Sequence, residues 1–363
     1  MAGRTYDERD VRVRPGRGSR PRTKQRPEHA DAERALVTGV DRGRYAVLVD
    51  PDGPDERRAV AMKARELGRE RVVPGDVVDL VGDTTGDDGS LSRIVRITAR
   101  RTTLRRTADD ADPVERVIVA NADRLVVVTA MADPEPRTRM IDRCVVAAYD
   151  AGMDVLLALT KADLADPEPL VVLYRPVGVE VVVTRRVPGP DGERRIEGLD
   201  ELRAALAGRT SVLVGHSGVG KSTLVNALVP GQHRAVGVVN DVTGRGRHTS
   251  TSAVALRVPS AGPGTWVIDT PGVRSFGLAH VQPDHLLGAF GDLADVAAEC
   301  PRGCTHAADA PDCGLDEWVE AATGEERDAR RARVDSFRRL LASRLGTADD
   351  GTGGGGAADT VAP

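Results

Sequence analysis

The chain has 363 residues, of which 40% are apolar and 29% charged, so it can form two or three globular domains with ample cores. No stretch approaches the roughly 20 apolar residues that cross a bilayer, and the charged N-terminus lacks the apolar segment of a secretory signal. We therefore expect a cytoplasmic protein without a membrane partner, whose four cysteines do not pair as disulfides.

Residues 1–33 are rich in Arg, Pro and Gly and lack apolar periodicity, which predicts a disordered basic arm. Residues 1–30 carry a net charge of +5, while the whole chain carries −4. Such an arm suits a polyanionic partner such as RNA, and a solvated tail without a partner is the alternative that composition leaves open. Because aromatic residues make up only 2% of the chain, nucleic-acid contacts would depend on arginine and shape.

Residues 34–106 contain short strand-like runs separated by turn clusters such as Asp50-Pro51-Asp52-Gly53. About five short strands in about 70 residues are typical of a small β-barrel, and an OB-like fold is the leading candidate. The predicted strands are Leu36–Val40, Tyr45–Val49, Arg58–Met62, Val77–Val81 and Leu91–Ile97.

Residues 107–278 alternate between apolar runs and a helical pattern, which predicts an α/β domain with a parallel sheet buried on both faces. The helical pattern places Met140, Ile141, Cys144, Val145 and Ala148 on one face, so Cys144 is interpreted as a core residue. The predicted strands are Leu125–Val128, Val155–Leu159, Val179–Val183 and Val212–Val214.

Residues 279–346 predict a small helical domain, with helices at Asp284–Glu299 and Glu325–Leu345, and residues 347–363 a Gly-rich flexible tail. Val334, Phe337, Leu341 and Leu345 form the apolar stripe of the second helix. Its other face is interpreted as solvated, with RNA contact as the alternative. That face carries Arg327, Arg330, Arg331, Arg333, Arg338, Arg339 and Arg344.

A glycine-rich loop follows the strand that ends at Val214 and opens an apolar-striped helix, which is the context of a P-loop. Backbone N–H groups of such a loop and the helix N-terminus cradle phosphates. Lys221 is expected to reach the β- and γ-phosphates, and the Ser222 hydroxyl to bind Mg²⁺. The predicted nucleotide contacts here are Gly215, His216, Ser217, Gly218, Val219, Gly220, Lys221, Ser222 and Thr223.

Asp269-Thr270-Pro271-Gly272 follows the apolar run Trp266–Ile268, so the carboxylate is expected at the carboxyl end of a strand, where open α/β sheets bind ligands. Asp269 would hold Mg²⁺ through water, and the Gly272 N–H would contact the γ-phosphate. Val273 follows, where regulatory GTPases often carry a glutamine that orients the attacking water. Slow intrinsic turnover and an activating group from elsewhere are therefore expected.

Thr160-Lys161-Ala162-Asp163 follows a predicted strand and indicates a guanine site. One carboxylate, Asp163, can accept from both N1–H and the exocyclic amine of guanine, while the Lys161 stem lies against the ring. Asn is the usual first residue of this motif, and Thr160 is expected to weaken the bracing of the loop slightly. Asp163 precedes Lys221 by 58 positions, the reverse of ordinary GTPases, which predicts a circular permutation.

The segment Gly244–Thr251 lies between the P-loop and Asp269, where a switch I loop would supply a hydroxyl to Mg²⁺. Thr249 and Thr251 are the candidates, and Ser250 is a third. His248 could position the attacking water, contact RNA or be a surface histidine of a mobile loop, and the sequence leaves the three open. His248 and Lys221 are the candidate catalytic residues.

Cys300, Cys304, His306 and Cys313 lie within 14 residues and supply three thiols and one imidazole. This set completes a tetrahedral Zn²⁺ shell without an open position, which predicts one structural zinc ion per chain.

Together the TKAD, GHSGVGKST, RHTST and DTPGV motifs and the terminal Cys/His set resemble the RsgA (YjeQ) family of circularly permuted small-ribosomal-subunit biogenesis GTPases, over roughly residues 35–345. The resemblance implies late maturation of the small subunit, GTP hydrolysis stimulated by the subunit, and GTP, GDP and rRNA as partners. We expect a monomer. Thr160 and the zinc spacing, one residue shorter in the first gap and one longer in the last, depart from the family. A P-loop ATPase and a nucleotide-gated RNA-binding adaptor are the alternatives.

Overall fold

The computed structural model describes residues 29–106, 116–189, 194–230, 253–270, 276, 278, 281 and 283–345. The chain separates into two compact units, Met1–Asp31 and Ala32–Pro363, and everything below concerns the second unit. The predicted arm up to residue 28 and the predicted tail lie outside the described residues.

Five strands form a closed β-barrel, which confirms the predicted OB-like fold. The strand pairs β1–β2, β2–β3, β4–β5 and β1–β4 are antiparallel, and the pair β3–β5 is parallel. The pairing of β1 with β4 closes the barrel. Alternate residues such as Val37, Val47 and Leu80 point into its core, as the period of two requires. The strands are β1 Glu33–Asp41, β2 Arg44–Val49, β3 Arg57–Lys63, β4 Val77–Gly82 and β5 Ser92–Ile97.

A six-stranded sheet follows in the order β10-β9-β8-β13-β15-β14, parallel except for its antiparallel edge strand β14. β14 also pairs with β1 of the barrel at Gly39 and Val254, so the two sheets are continuous. Every residue of β8 is buried, as expected of a strand covered on both faces. The strands are β8 Arg124–Ala130, β9 Asp154–Thr160, β10 Glu180–Val183, β13 Thr210–Val214, β14 Val254–Arg257 and β15 Trp266–Asp269.

Two hairpins lie outside the main sheet, and the sequence predicted neither. The first pairs β6, Thr103–Arg106, with β7, Arg116–Ala120, and the second pairs β11, Arg185–Pro188, with β12, Arg194–Glu197. Their strands are only four or five residues long, and apart from β7, whose Val119 and Ala120 are buried, they lack the apolar runs that mark the core strands.

Helices cover both faces of the central sheet. α3 and α4 lie over one core, while α1 and the C-terminal helices share the other, larger core. Cys144 of α1 is buried there, as predicted. The helices are α1 Thr138–Asp150, α2 Glu168–Tyr174, α3 Leu199–Leu206, α4 Lys221–Leu228, α5 Pro283–Gly288, α6 Gly291–Ala297, α7 Gly314–Glu320 and α8 Gly324–Leu345. None of the described helices is long and apolar enough to cross a membrane.

The C-terminal helices differ from the prediction in two ways. The helix predicted over Asp284–Glu299 is two helices, because the chain turns at Ala289 and Phe290 and buries the Phe290 ring. That ring packs edge-on against Tyr149 of α1 and Phe337 of α8, at centroid distances of 5.8 and 5.5 Å. α7 was not predicted. These contacts place α8 directly on the α/β domain.

The arginine-rich face of α8 is solvated only in part: Arg327 and Arg331 stay partly exposed beside Glu320, as predicted, while others pack on neighbouring helices. Arg338 makes a bidentate ion pair with Asp316 at 2.7 and 2.8 Å, and Arg333 pairs with Asp292 at 2.8 Å. Arg339 lies 3.3 Å from the buried carboxylate of Asp142 in α1. The prediction does not hold for these three arginines, because their partners lie on other helices, which periodicity within α8 cannot show.

Candidate functional site

The three predicted nucleotide motifs meet at one edge of the central sheet. The P-loop follows β13, the Thr160–Asp163 motif begins at the last residue of β9, and Asp269 ends β15. These strands are parallel, so their carboxyl ends lie side by side, which is where such sheets bind ligands.

The P-loop has the backbone that its glycines permit. Gly218 and Gly220 adopt φ of 83° and 92°, in the left-handed region that favours glycine. At Gly215 a Cβ would lie 2.7 Å from the Val128 carbonyl oxygen, so a side chain would push the loop off the sheet. α4 begins at Lys221 immediately after this turn, and its N-terminus faces the loop.

Lys221 and Asp269 form an ion pair across the predicted phosphate site. The Asp269 carboxylate is only 2% exposed and the Lys221 side chain 13%, so each neutralises the other in a partly dry environment. A triphosphate with its cation can replace this pair on both sides, because the phosphates attract the lysine and the cation attracts the carboxylate.

Thr160 connects the base motif to the P-loop. Its buried hydroxyl donates to the Val219 carbonyl oxygen at 2.5 Å, and a Cβ at Gly220 would lie 3.4 Å from this hydroxyl. Lys161, with φ of 56°, donates from Nζ to the Asp133 carbonyl oxygen. The threonine thus provides a direct hydrogen bond to the P-loop at the position where weaker bracing was expected.

Asp163 is exposed and available to a base. One carboxylate oxygen accepts the Arg186 N–H at 3.1 Å, and this hydrogen bond lowers the pKa of Asp163 below its usual range. The carboxylate is therefore ionised at neutral pH and keeps acceptor capacity for two donors.

Arg186, in the unpredicted hairpin, is a site residue that the sequence analysis missed. Its guanidinium lies 3.4 Å from the Thr223 hydroxyl, so this residue contacts both the base motif and the P-loop helix. The signal available was the turn-forming Pro188-Gly189-Pro190-Asp191-Gly192 between two arginine pairs, which is typical of a hairpin loop.

The other predicted residues of the nucleotide site lie outside the described residues. These residues are Gly272, His248, Thr249, Ser250 and Thr251. Their roles stay predictions.

Cys300, Cys304, His306 and Cys313 come together, with their donor atoms all within 4.8 Å of one another. Zinc–sulfur bonds of about 2.3 Å and tetrahedral angles place donor atoms within such a distance. The Gly314 N–H donates to Cys300 Sγ at 3.2 Å, and Arg338 donates to the His306 carbonyl oxygen at 3.1 Å. The cluster could therefore hold a metal ion, supported by hydrogen bonds from α7 and α8.

Several arginines between Leu91 and Ala108 make ion pairs within the fold. Arg100 makes a bidentate ion pair with the fully buried Asp76 at 2.7 and 2.9 Å, and Arg101 pairs with Asp123. Arg96 lies 3.4 Å from Asp79. These arginines therefore stabilise the barrel and its junction with the sheet.

The Thr160 contact predicts a measurable loss of nucleotide affinity. In Thr160→Ala the buried Val219 carbonyl loses its donor, which costs about 1–3 kcal/mol, so GDP affinity should fall by roughly tenfold. Titration with a fluorescent GDP measures this. Thr265→Ala removes a buried hydroxyl at the opposite end of the sheet and should leave the affinity unchanged. Equal GDP affinity in Thr160→Ala and the parent chain would contradict this interpretation.

Fold and site together define a P-loop nucleotide-binding protein. Its nucleotide motifs follow the β-barrel in the chain and run in permuted order. The sequence model described as RsgA GTPase matches residues 97–279. The chain belongs to this family, which confirms the resemblance drawn from its motifs.

Two relatives are named small ribosomal subunit biogenesis GTPase RsgA. One, from Pseudomonas aeruginosa (strain LESB58), is 40% identical over 235 residues, 62% of this chain and 64% of the relative. The other, from Pseudomonas syringae pv. tomato, is 37% identical over 257 residues, 69% of each chain. The chain thus spans just under two thirds of the Pseudomonas aeruginosa relative.

Two solved structures share the fold. The crystal structure of YjeQ from Thermotoga maritima has a TM-score of 0.58 and 24% identity, covering 87% of this chain and 99% of that one. YloQ, described as a circularly permuted GTPase, has a TM-score of 0.59 and 21% identity, covering 88% and 98%. The permuted order and the barrel are therefore features of the fold.

Proposed function

We propose that this chain binds and hydrolyses GTP in the late maturation of the small ribosomal subunit. The single observation that carries the proposal is the meeting of three motifs at one sheet edge, with an ionised Asp163 near one end and the Lys221–Asp269 pair at the other. Family membership and the names of the relatives support the same function.

The nucleotide roles follow from this placement. Asp163 accepts from guanine, the loop from Gly215 to Thr223 surrounds the phosphates, and Lys221 neutralises them. When bound, Mg²⁺ would supply positive charge that balances the developing charge on the phosphates, and Ser222 and Asp269 are the described residues that would hold it. Arg186 would lie alongside the nucleoside, between the base and Thr223.

The metal in the Cys/His cluster is proposed to be one structural zinc ion. Three thiolates and one imidazole are ligands that Zn²⁺ prefers, and together they fill its four tetrahedral positions and leave none open for substrate. Because α7 begins directly after Cys313, the ion would fix the segment that leads into α8.

The partner is proposed to be the small subunit, bound largely through phosphate contacts of exposed arginines. Arg93 on β5 is exposed and makes no ion pair with the described part of the chain, unlike its neighbours Arg96, Arg100 and Arg101. Few aromatic residues are present for base stacking, so affinity should fall steeply as salt rises.

The decisive experiment compares the rate of GTP hydrolysis with and without purified small subunits. Val273 cannot orient water, so the basal rate should be slow, and groups supplied by a partner add about 10³–10⁵ in related phosphoryl transfers. The stimulation should decline as salt weakens docking, while the basal rate stays constant. Arg93→Ala should raise the subunit concentration needed for half-maximal stimulation, and Arg96→Ala, which removes an arginine already paired with Asp79, should have a smaller effect. Indifference of the hydrolysis rate to small subunits would overturn the proposal.

A further inference from the structure

A cavity of about 360 Å³ lies between the β-barrel and the central sheet. On the barrel side, Leu36 and Val77 are paired across β1 and β4 and are half-buried, whereas the residues on either side of Leu36 are buried in the barrel core. Alternation therefore directs Leu36 out of the barrel and toward the cavity. The facing wall on the sheet consists of Ala255, Trp266 and Ile268. Two apolar surfaces thus enclose a space of the size that binds small molecules.

This cavity lies on the barrel side of the sheet and reaches the amino ends of its strands. Thr210 and Trp266, which line it, are the first residues of the parallel strands β13 and β15. The nucleotide motifs follow the carboxyl ends of these strands, and none of the described residues assigned to the nucleotide lines the cavity. Arg34 and Ala99 line it and are exposed, so a solute can enter from the solvent. The cavity is therefore accessible and separate from the nucleotide site.

Hydrogen bonds and a cation–π contact hold the walls of the cavity in place. The Asn121 side-chain oxygen accepts the backbone N–H of Arg101, and its amide nitrogen donates to the Gly75 carbonyl oxygen, both at 2.8 Å. The Arg257 guanidinium lies 4.9 Å from the centre of the Trp266 ring. The walls are therefore formed before a ligand arrives, which reduces the ordering that binding would require.

The polar groups of the cavity favour an anion. Arg34 makes no ion pair with the part of the chain that the structure describes, whereas Arg101 is already paired with Asp123 at 2.9 Å. The half-buried side chains of Thr98 and Thr210 make no hydrogen bond to other described residues, so their hydroxyls can donate to a ligand. No acidic residue is among the described residues that line the cavity.

We infer that this cavity binds a small organic carboxylate with an apolar body. The apolar body would lie between the barrel wall and Trp266, and the carboxylate would accept hydrogen bonds from Arg34 and from the Thr98 and Thr210 hydroxyls. An inorganic anion would leave the apolar walls without contacts, and a hydrocarbon would leave the donors unpaired. The walls and the donors together therefore select a ligand that has both parts.

The test uses naphthoate as the probe and naphthamide as its uncharged counterpart of the same shape. Isothermal titration calorimetry of the full-length chain should show saturable binding of naphthoate, and saturating GDP with Mg²⁺ should leave that binding unchanged. Naphthamide should bind about fivefold more weakly, which is the effect of one solvent-accessible ion pair. Because the titration needs no hydrolysis, a chain without GTPase activity would fail the proposed function and leave this result intact.

Two variants assign the binding to this cavity. Arg34→Gln should reduce the affinity for naphthoate to that for naphthamide, while Arg44→Gln, which changes an exposed arginine of β2 outside the cavity, should reduce neither. Ala99→Phe places a ring at an exposed position of the wall and should prevent binding of both probes without altering the core. No saturable binding of naphthoate, its displacement by GDP, or equal naphthoate affinity in Arg34→Gln, Ala99→Phe and the parent chain overturns the inference.

Discussion

Asp163→Asn is expected to change the base preference of this chain from guanine to xanthine. The carboxylate accepts from two guanine donors, and an amide offers one acceptor and one donor group in the same space. Losing two charge-assisted hydrogen bonds should lower GTP affinity by about 10²–10³-fold. Xanthine carries an oxygen in place of the exocyclic amine, so xanthosine triphosphate should gain affinity. Competition against a fluorescent nucleotide measures both changes.

The matched control for this substitution is Asp166→Asn. Asp166 is also exposed, follows three residues later, and accepts the Glu168 N–H at 3.1 Å near the start of α2. The substitution Asp166→Asn removes the same charge from the same loop but does not change the base site, so GTP affinity should be unchanged. Unaltered GTP affinity in Asp163→Asn would exclude Asp163 as the base reader.

The same residue predicts the pH dependence of GTP binding. The hydrogen bond from Arg186 lowers the pKa of Asp163 in the folded chain. The charged form of the carboxylate is therefore favoured. Its interaction with guanine is fully present at pH values above the ordinary pKa of an aspartate, and it is lost only as the pH falls through the lowered pKa. GTP affinity measured from pH 8 to pH 5 should show no loss from this group.

Removal of the metal is expected to expose three thiols and to release the C-terminal helices. Structural zinc contributes about 10–16 kcal/mol of apparent binding free energy in small zinc-binding peptides, so its loss should unfold the Cys300–Cys313 segment. A thiol reagent should then label three cysteines in the chelated chain and almost none in the metal-bound chain. Mass spectrometry gives the count.

The fourth thiol provides an internal reference for this labelling. Cys144 is 2% exposed, and burial raises its pKa to about 12, so it should stay unlabelled until the α/β domain unfolds. In Cys144→Ala the chelator-dependent count should remain three. A count that does not respond to the chelator, or metal analysis without stoichiometric zinc, would contradict the site.

The structure refines what metal removal does to the rest of the chain. Phe290 and Phe337 share the large core with α1, and Arg339 of α8 contacts Asp142 of α1. We therefore expect chelation to lower the thermal midpoint of the α/β domain as well. Nucleotide binding should persist, because the residues of the nucleotide site lie at the carboxyl ends of the central strands and on the loops that follow these strands.

The sequence by itself determined the elements and motifs that depend on local order. Short strand-like runs between turn clusters predicted the barrel strands, unbroken apolar runs predicted β8 and β9, and glycine spacing predicted the P-loop, because each pattern reflects the environment of successive residues. The Cys/His set was predictable for the same reason, since its ligands lie close together in the chain. Motif order was sufficient to predict the permutation.

Only the tertiary structure decided which side chains meet across the fold. The Thr160 hydrogen bond to Val219, the pairing of Lys221 with Asp269 and the contact of Arg186 with Thr223 join residues 37 to 59 positions apart. Arg339 and Asp142 lie still farther apart in the chain. Hydrophobic periodicity describes which face of an element is buried, but not which charged residue of another element lies opposite it. Arg333, Arg338 and Arg339 of α8 therefore resembled part of a solvated face, although carboxylates of other helices pair with them.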